Sequence, residues 1–239
     1  YCTWKIIMKA FVITIEGHRE SETAAQRCIE SSWKVKNEFS IEIFDATTPD
    51  NAEIQLKEFA LKWNYPWEGQ VHDFSTGLIK SAYQTANPLA RVACALSHFR
   101  LWTECFEKQE PYLILEHDAF FTQKLDYEYI VNSMYNIVGI NNPLGCTRKS
   151  KNFYNAIQLG GMDIQQVPRI DNFNITQGIA GNSAYIIQPQ GAEKMISLAY
   201  KHGLWPNDSL MCYQLVGSSL GVTKEFYTSV QQMRSTTTQ

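Results

Sequence analysis

The sequence predicts one α/β domain built on a mostly parallel, doubly wound sheet flanked by helices. Three observations predict it. Short apolar, β-branched runs alternate with segments of helical periodicity along most of the chain. Several of those runs are apolar at every position, the pattern of strands covered on both faces. At 239 residues, with 44% hydrophobic and 19% charged residues, the chain can bury one large core, and no repeat or low-complexity linker divides it. The expected organisation is an N-terminal extension over residues 1–8, one domain over 9–234 and a polar, frayed tail over 235–239.

The elements follow in order. Phe11 to Ile15 is a β-branched run suited to a buried strand; it is broken upstream by Lys9 and lacks a small-residue cleavage site, so it is not read as a signal peptide. Ser21-Glu22 opens a helix in which Ala25, Cys28, Ile29 and Ser32 recur at helical spacing. Ser40 to Phe44 alternates as a strand ending at Asp45. Thr48-Pro49 starts a helix expected to run to about Trp63, because a capping residue precedes proline at the first turn. From Asn64 to Pro88 periodicity dissolves into an aromatic-rich stretch, expected to be a loop or lid. Ala95, Phe99, Trp102 and Phe106 then form one helical stripe, and Pro111 to Leu115 is a strand running into Glu116-His117-Asp118. After an irregular middle, Ser183 to Ile187 is a strand, a helix carries Ala192, Met195, Ile196 and Ala199, and Gly203 is placed to end it. Asp208 to Val216 is expected to be a further short helix.

Composition narrows the function. A formal charge of −3 argues against nucleic acid as a partner, since a general binder carries a basic stripe. No apolar stretch approaches the ~20 residues of a membrane span. The six cysteines include no C-x-x-C pair, which disfavours zinc ribbons and thioredoxin-like sites. Their scatter points to thiols in a reduced, cytoplasmic protein, with Cys94 and Cys105 packing as small hydrophobes in a helix.

In sheets of this class, ligands bind beyond the carboxyl ends of the strands. Three expected strand ends carry acids: Glu16, Asp45 and the Glu116/Asp118 pair. No glycine-rich phosphate loop follows any of them, so a bound diphosphate needs another counter-charge. A divalent cation on carboxylate oxygens supplies one. The alternation of a strand would aim residues i and i+2 at one site, which admits E-x-D as such a pair; an acidic turn explains the same residues.

The helix carrying Ser97-His98-Phe-Arg-Leu-Trp102, followed by the strand Pro111-Tyr-Leu-Ile-Leu-Glu116-His-Asp118, resembles glycosyltransferase family 25, the lipooligosaccharide and procollagen galactosyltransferase-like enzymes. Phe11-Val-Ile-Thr14-Ile-Glu16 with Arg19, Phe44-Asp45-Ala46, Ser183-Ala-Tyr-Ile-Ile-Gln-Pro-Gln-Gly191-Ala192 and Pro206-Asn207-Asp208 are similar to further family segments. The chain departs from the pattern in carrying His117 as the middle residue of the family's E-D-D and Ala90-Arg91 where the family tends to Gly-Glu.

The resemblance implies a GT-A-like fold and inverting transfer of a hexose, galactose or glucose, from a UDP-sugar to a glycan or other hydroxyl-bearing acceptor. It implies Mn2+ or Mg2+ held by Asp118, Glu116 and His117, Asp208 as the general base, and donor contacts from Thr14, Glu16, Arg19, Asp45, Ser97, His98 and Glu116. Beside these stand plainer readings: His98 as a satisfied core histidine, Asp208 as a helix cap, Arg19 as a solvated loop arginine. Two other functions stay open, a nucleotide-sugar-binding protein with little turnover and another metal-dependent α/β enzyme such as a phosphohydrolase.

Overall fold

The computed structural model describes residues 8–146 and 149–232. The expected tail, and all of the expected extension except Met8, lie outside them. In chain order the elements are β1 (Lys9–Thr14), α1 (Arg19–Lys34), β2 (Ile41–Asp45), α2 (Pro49–Glu58), β3 (Gln70–Asp73), β4 (Leu78–Ser81), α3 (Pro88–Lys108), β5 (Tyr112–Glu116), β6 (Ala119–Phe121), α4 (Tyr127–Val131), β7 (Ile137–Gly139), α5 (Ser150–Leu159), β8 (Ile164–Gln166), β9 (Ala184–Ile187), α6 (Pro189–His202), α7 (Asn207–Leu210), α8 (Tyr213–Val216), β10 (Leu220–Thr223) and β11 (Thr228–Val230).

The central sheet has seven strands in the order β2-β1-β5-β9-β7-β10-β8. Five run the same way; β9 and β8 are reversed, pairing antiparallel with their neighbours. The unbroken apolar runs have the expected cause. Phe11, Ile13, Tyr112, Ile114, Tyr185 and Ile187 point to one face, against α2, α3 and α6. Ala10, Val12, Leu113, Leu115, Ala184 and Ile186 point to the other, against α1 and α4. Buried Leu and Ile side chains contribute about 1.5–3 kcal/mol each, so these two clusters dominate the fold's stability.

Several boundaries differ from expectation. Helix α2 stops at Glu58, not Trp63: Ala60 adopts a left-handed φ of 53°, and the chain turns to bury Leu61. The stretch 64–88 contains the hairpin β3–β4, paired from Gln70↔Ser81 to Asp73↔Leu78. Strand β3, Gln-Val-His-Asp, is largely exposed and therefore carries no apolar alternation to read. The expected helix over 208–216 is two short helices separated by Met211 and Cys212. The middle region holds β6, β7 and β8, strands of three residues each, too short for a period. Gly203 ends α6 as expected, at φ 82°, where a Cβ would lie 2.5 Å from that of Asn64.

Candidate active site

A cavity of about 1230 Å³ opens at the end of the sheet where β5 finishes. Its wall is assembled from distant segments: Ile13 in β1 and Ile15 just after it, Thr47 and Thr48 after β2, the N-terminal half of α3, the corner Glu116-His117-Asp118, residues 178–183 before β9, and Asn207-Asp208 on α7.

Helix α3 brings Ser97 and His98 of the S-H-x-x-x-W pattern to this wall, with Trp102 buried behind them. Asn87 accepts from Leu89 N at its start, and Pro88 occupies the first turn, where its missing N–H costs nothing. Ser97 Oγ donates to Ala93 O and accepts from Thr47 N, both at 2.9 Å, pinning the loop after β2 to the helix. Trp102 Nε1 donates to Tyr185 Oη at 2.8 Å, His98 Nδ1 lies 2.8 Å from the same oxygen, and His98 Nε2 lies 3.2 Å from Glu116 Oε1. Indole only donates, so the proton order that satisfies every atom runs from Trp102 to Tyr185, from Tyr185 to His98 Nδ1, and from His98 Nε2 to Glu116. His98 is thus both a satisfied core histidine and the group that holds a carboxylate at the cavity.

Glu116 ends β5, while His117 and Asp118 lie in the turn to β6, so strand alternation is not what gathers the two acids. Both nevertheless line the cavity. Burial, and then the charge of Glu116, push the Asp118 carboxyl up to about 7, against a hydrogen bond from Ser183 that lowers it. Asp118 Oδ1 is buried without a partner. Burial lowers the His117 imidazole more than the Glu116 charge raises it, which favours the neutral ring.

Asp208 is a helical residue of α7 whose cap is Pro206, so a simple capping role does not account for it. Burial pushes its carboxyl up, partly offset by Tyr83 and Arg91. Tyr83 donates to Asp208 Oδ2 at 3.1 Å, and the Arg91 guanidinium stacks 4.8 Å over the Tyr83 ring. Arg91, one of the two departures in sequence, therefore joins the cavity wall beside Asp208.

Of the expected site residues, Asp208, Ser97, His98, Glu116, His117 and Asp118 line this one cavity. Thr14, Glu16, Arg19 and Asp45 are not among its lining residues. Thr14 is buried and donates to Val12 O; the other three are exposed. The turn after β1 contributes His18 and Glu20 to the wall instead. Sequence reasoning missed Cys94, Tyr83, Asn182, Asn207 and Gln231. Two of them carried a local signal: Cys94 stands four residues before His98 on the same helix, and Asn207 adjoins Asp208.

A family model described as glycosyltransferase family 25 (LPS biosynthesis protein) matches residues 8–211. Among solved structures, the apo form of mouse xyloside xylosyltransferase 1 is similar at a TM-score of 0.42 and 9% identity, over 89% of this chain and 82% of that one. No curated protein matches.

Proposed function

The chain belongs to glycosyltransferase family 25, and from that premise we propose that it moves a hexose from a UDP-sugar to a hydroxyl acceptor with inversion. One observation carries the reading: a single large cavity holds Glu116, Asp118 and Asp208 together with buried polar atoms that lack partners. Those atoms are Asp118 Oδ1, Asn182 Oδ1, Asn207 Nδ2 and Gln231 Oε1. A buried polar atom without a partner is costly, and a ligand rich in hydroxyl and phosphate groups removes that cost.

In this reading Asp208 accepts the proton of the acceptor hydroxyl. That oxygen bonds to the anomeric carbon while the bond from that carbon to the UDP oxygen breaks. Burial suits Asp208 to the task, since a general base works best with a pKa raised toward neutral. Tyr83 fixes the carboxylate through Oδ2. His98 holds Glu116 in place from behind. The unpartnered Asp118 oxygen and the Glu116 carboxylate are hard donors that fit Mn2+ or Mg2+. When bound, such a cation supplies positive charge against the departing diphosphate. His117, half-buried and with its imidazole pKa lowered by burial, is available as a nitrogen donor beside them.

Calorimetric titration of UDP with and without Mn2+, together with UDP release from a panel of UDP-hexoses, tests the proposal. Asp208→Asn is expected to keep UDP affinity within about threefold while lowering turnover by about 10²–10⁴. Wild-type protein that fails to bind UDP in the presence of Mn2+ would overturn the reading. Donor binding without release, across acceptors, would make the chain a nucleotide-sugar-binding protein.

A further inference from the structure

Cys94 and His98 stand four residues apart on α3, so their side chains leave the same helical face one turn apart. Glu116 reaches the same point from the end of β5. Among the described residues these three bring one ligating atom each to within 4.8 Å of the other two. The separation of His98 Nε2 and Glu116 Oε1, 3.2 Å, is close to the edge of a tetrahedron whose bonds are about 2.0–2.1 Å. The far nitrogen of His98 is already held by Tyr185, and Tyr185 by Trp102. A partner on that nitrogen fixes the ring's direction, as metal-bound imidazoles require. Cys94 Sγ has only a long contact to Asn207 Oδ1, at 3.9 Å. Cys94 and Glu116 are partly exposed and all three residues line the cavity, so one side of the cluster faces its interior.

We propose that this cavity binds a divalent cation of the zinc class on Cys94 Sγ, His98 Nε2 and Glu116, with its remaining coordination position open to the cavity. The site shares Glu116 with the hard-oxygen site on Glu116 and Asp118 but differs from it in ligand chemistry, and it does not rest on the glycosyltransferase reading. Thiolate and imidazole select zinc over manganese or magnesium. Two of the three ligands are anionic when bound, which balances a dication in a partly buried position. Three protein ligands with a vacant fourth direction is the arrangement of zinc sites that exchange a water or substrate. Binding releases the thiol proton of Cys94. The ring proton of His98 moves to Nδ1 and is donated to Tyr185, whose oxygen then accepts from both His98 and Trp102.

Cobalt(II) is the probe, added to the metal-free full chain without nucleotide. The expected result is one equivalent bound with release of one proton per metal, and a thiolate-to-cobalt charge-transfer band and tetrahedral ligand-field bands that zinc abolishes without taking the proton back. Cys94→Ser should abolish the charge-transfer band and weaken zinc binding by more than about a hundredfold, beyond the loss of an outer partner. Tyr185→Phe, which removes such a partner, should weaken zinc binding about 10–100-fold. Cys146→Ser, a second cavity thiol, should leave the band in place. The absence of the band in wild type, or its survival in a folded Cys94→Ser variant, would overturn the proposal. UDP titration of the same samples is read separately, so failure of this site and failure of the glycosyltransferase reading are distinguishable.

Discussion

Asp118 titrates where an ordinary aspartate does not, and the sign of the consequence is fixed. Its folded pKa of about 7 exceeds the value near 4 in an unfolded chain, so the folded protein retains a proton that the unfolded chain has lost. Stability contributed by the protonated form is complete below about pH 4 and is lost as pH rises through about 7. The loss is on the order of a few kcal/mol. Asp118→Asn cannot ionise and escapes it. The melting temperature of that variant relative to wild type should therefore be higher at about pH 8 than at about pH 5, by scanning calorimetry. An equal difference at both pH values would place the carboxyl in water. The residues of this corner were legible to different degrees. Glu116, Asp118, His98 and Trp102 stand in recognisable spacing, but their connection does not, because Tyr185 lies 83 residues beyond Trp102. No local pattern encodes a hydrogen bond over that separation.

Lys80 shows how an element can be built around a charge that the sequence offers no reason to bury. It is the third residue of β4, and its side chain is 4% exposed. Its ammonium lies 3.0 Å from the Asp73 carboxylate, 2.8 Å from Asn64 O and 4.5 Å over the Trp205 ring. Burial pulls the Asp73 carboxyl upward, but hydrogen bonds from Ser75 and Lys80 outweigh it and hold it below the usual range. Lys80→Met would leave Asp73 charged without a counter-charge, held by Ser75 alone, at a cost of about 3 kcal/mol measurable by urea unfolding. A loss below about 1 kcal/mol would mean that water reaches the pair. The stretch expected to be a loop or lid is thus fastened to the body through its inner strand, while Phe74 at the turn is 90% exposed. Sequence periodicity found the long helices because each buries a stripe; it passed over the hairpin because one strand is exposed and the other buries a lysine.

The cavity wall draws on segments from Ile13 to Gln232, so the site exists only when the chain has closed on itself. Gln231 makes that closure: its Nε2 reaches Ala24 O at 2.9 Å, Ala119 O at 3.2 Å and His117 O at 3.3 Å, tying α1 to the acidic corner. Gln231→Ala should weaken UDP binding by about tenfold or more while lowering the melting temperature by only a few degrees, since it removes hydrogen bonds worth about 1 kcal/mol each. Unchanged UDP affinity would show that the corner holds its shape unaided. At this scale the alternation of strands and helices announced the layered sheet, and the two apolar faces of β1 and β5 announced its burial on both sides. The reversal of β9 was silent, because a strand covered on both faces has the same composition in either direction. That reversal settles where this protein is open to retargeting. The parallel strands β1, β2, β5 and β7 deliver their outgoing loops to the cavity, whereas β9 delivers its incoming one, residues 178–183. Lengthening or recoding that approach would reshape the pocket without disturbing the turn from β9 into α6 at the opposite end, where Gly191 leaves no room for a Cβ against Asn136 O.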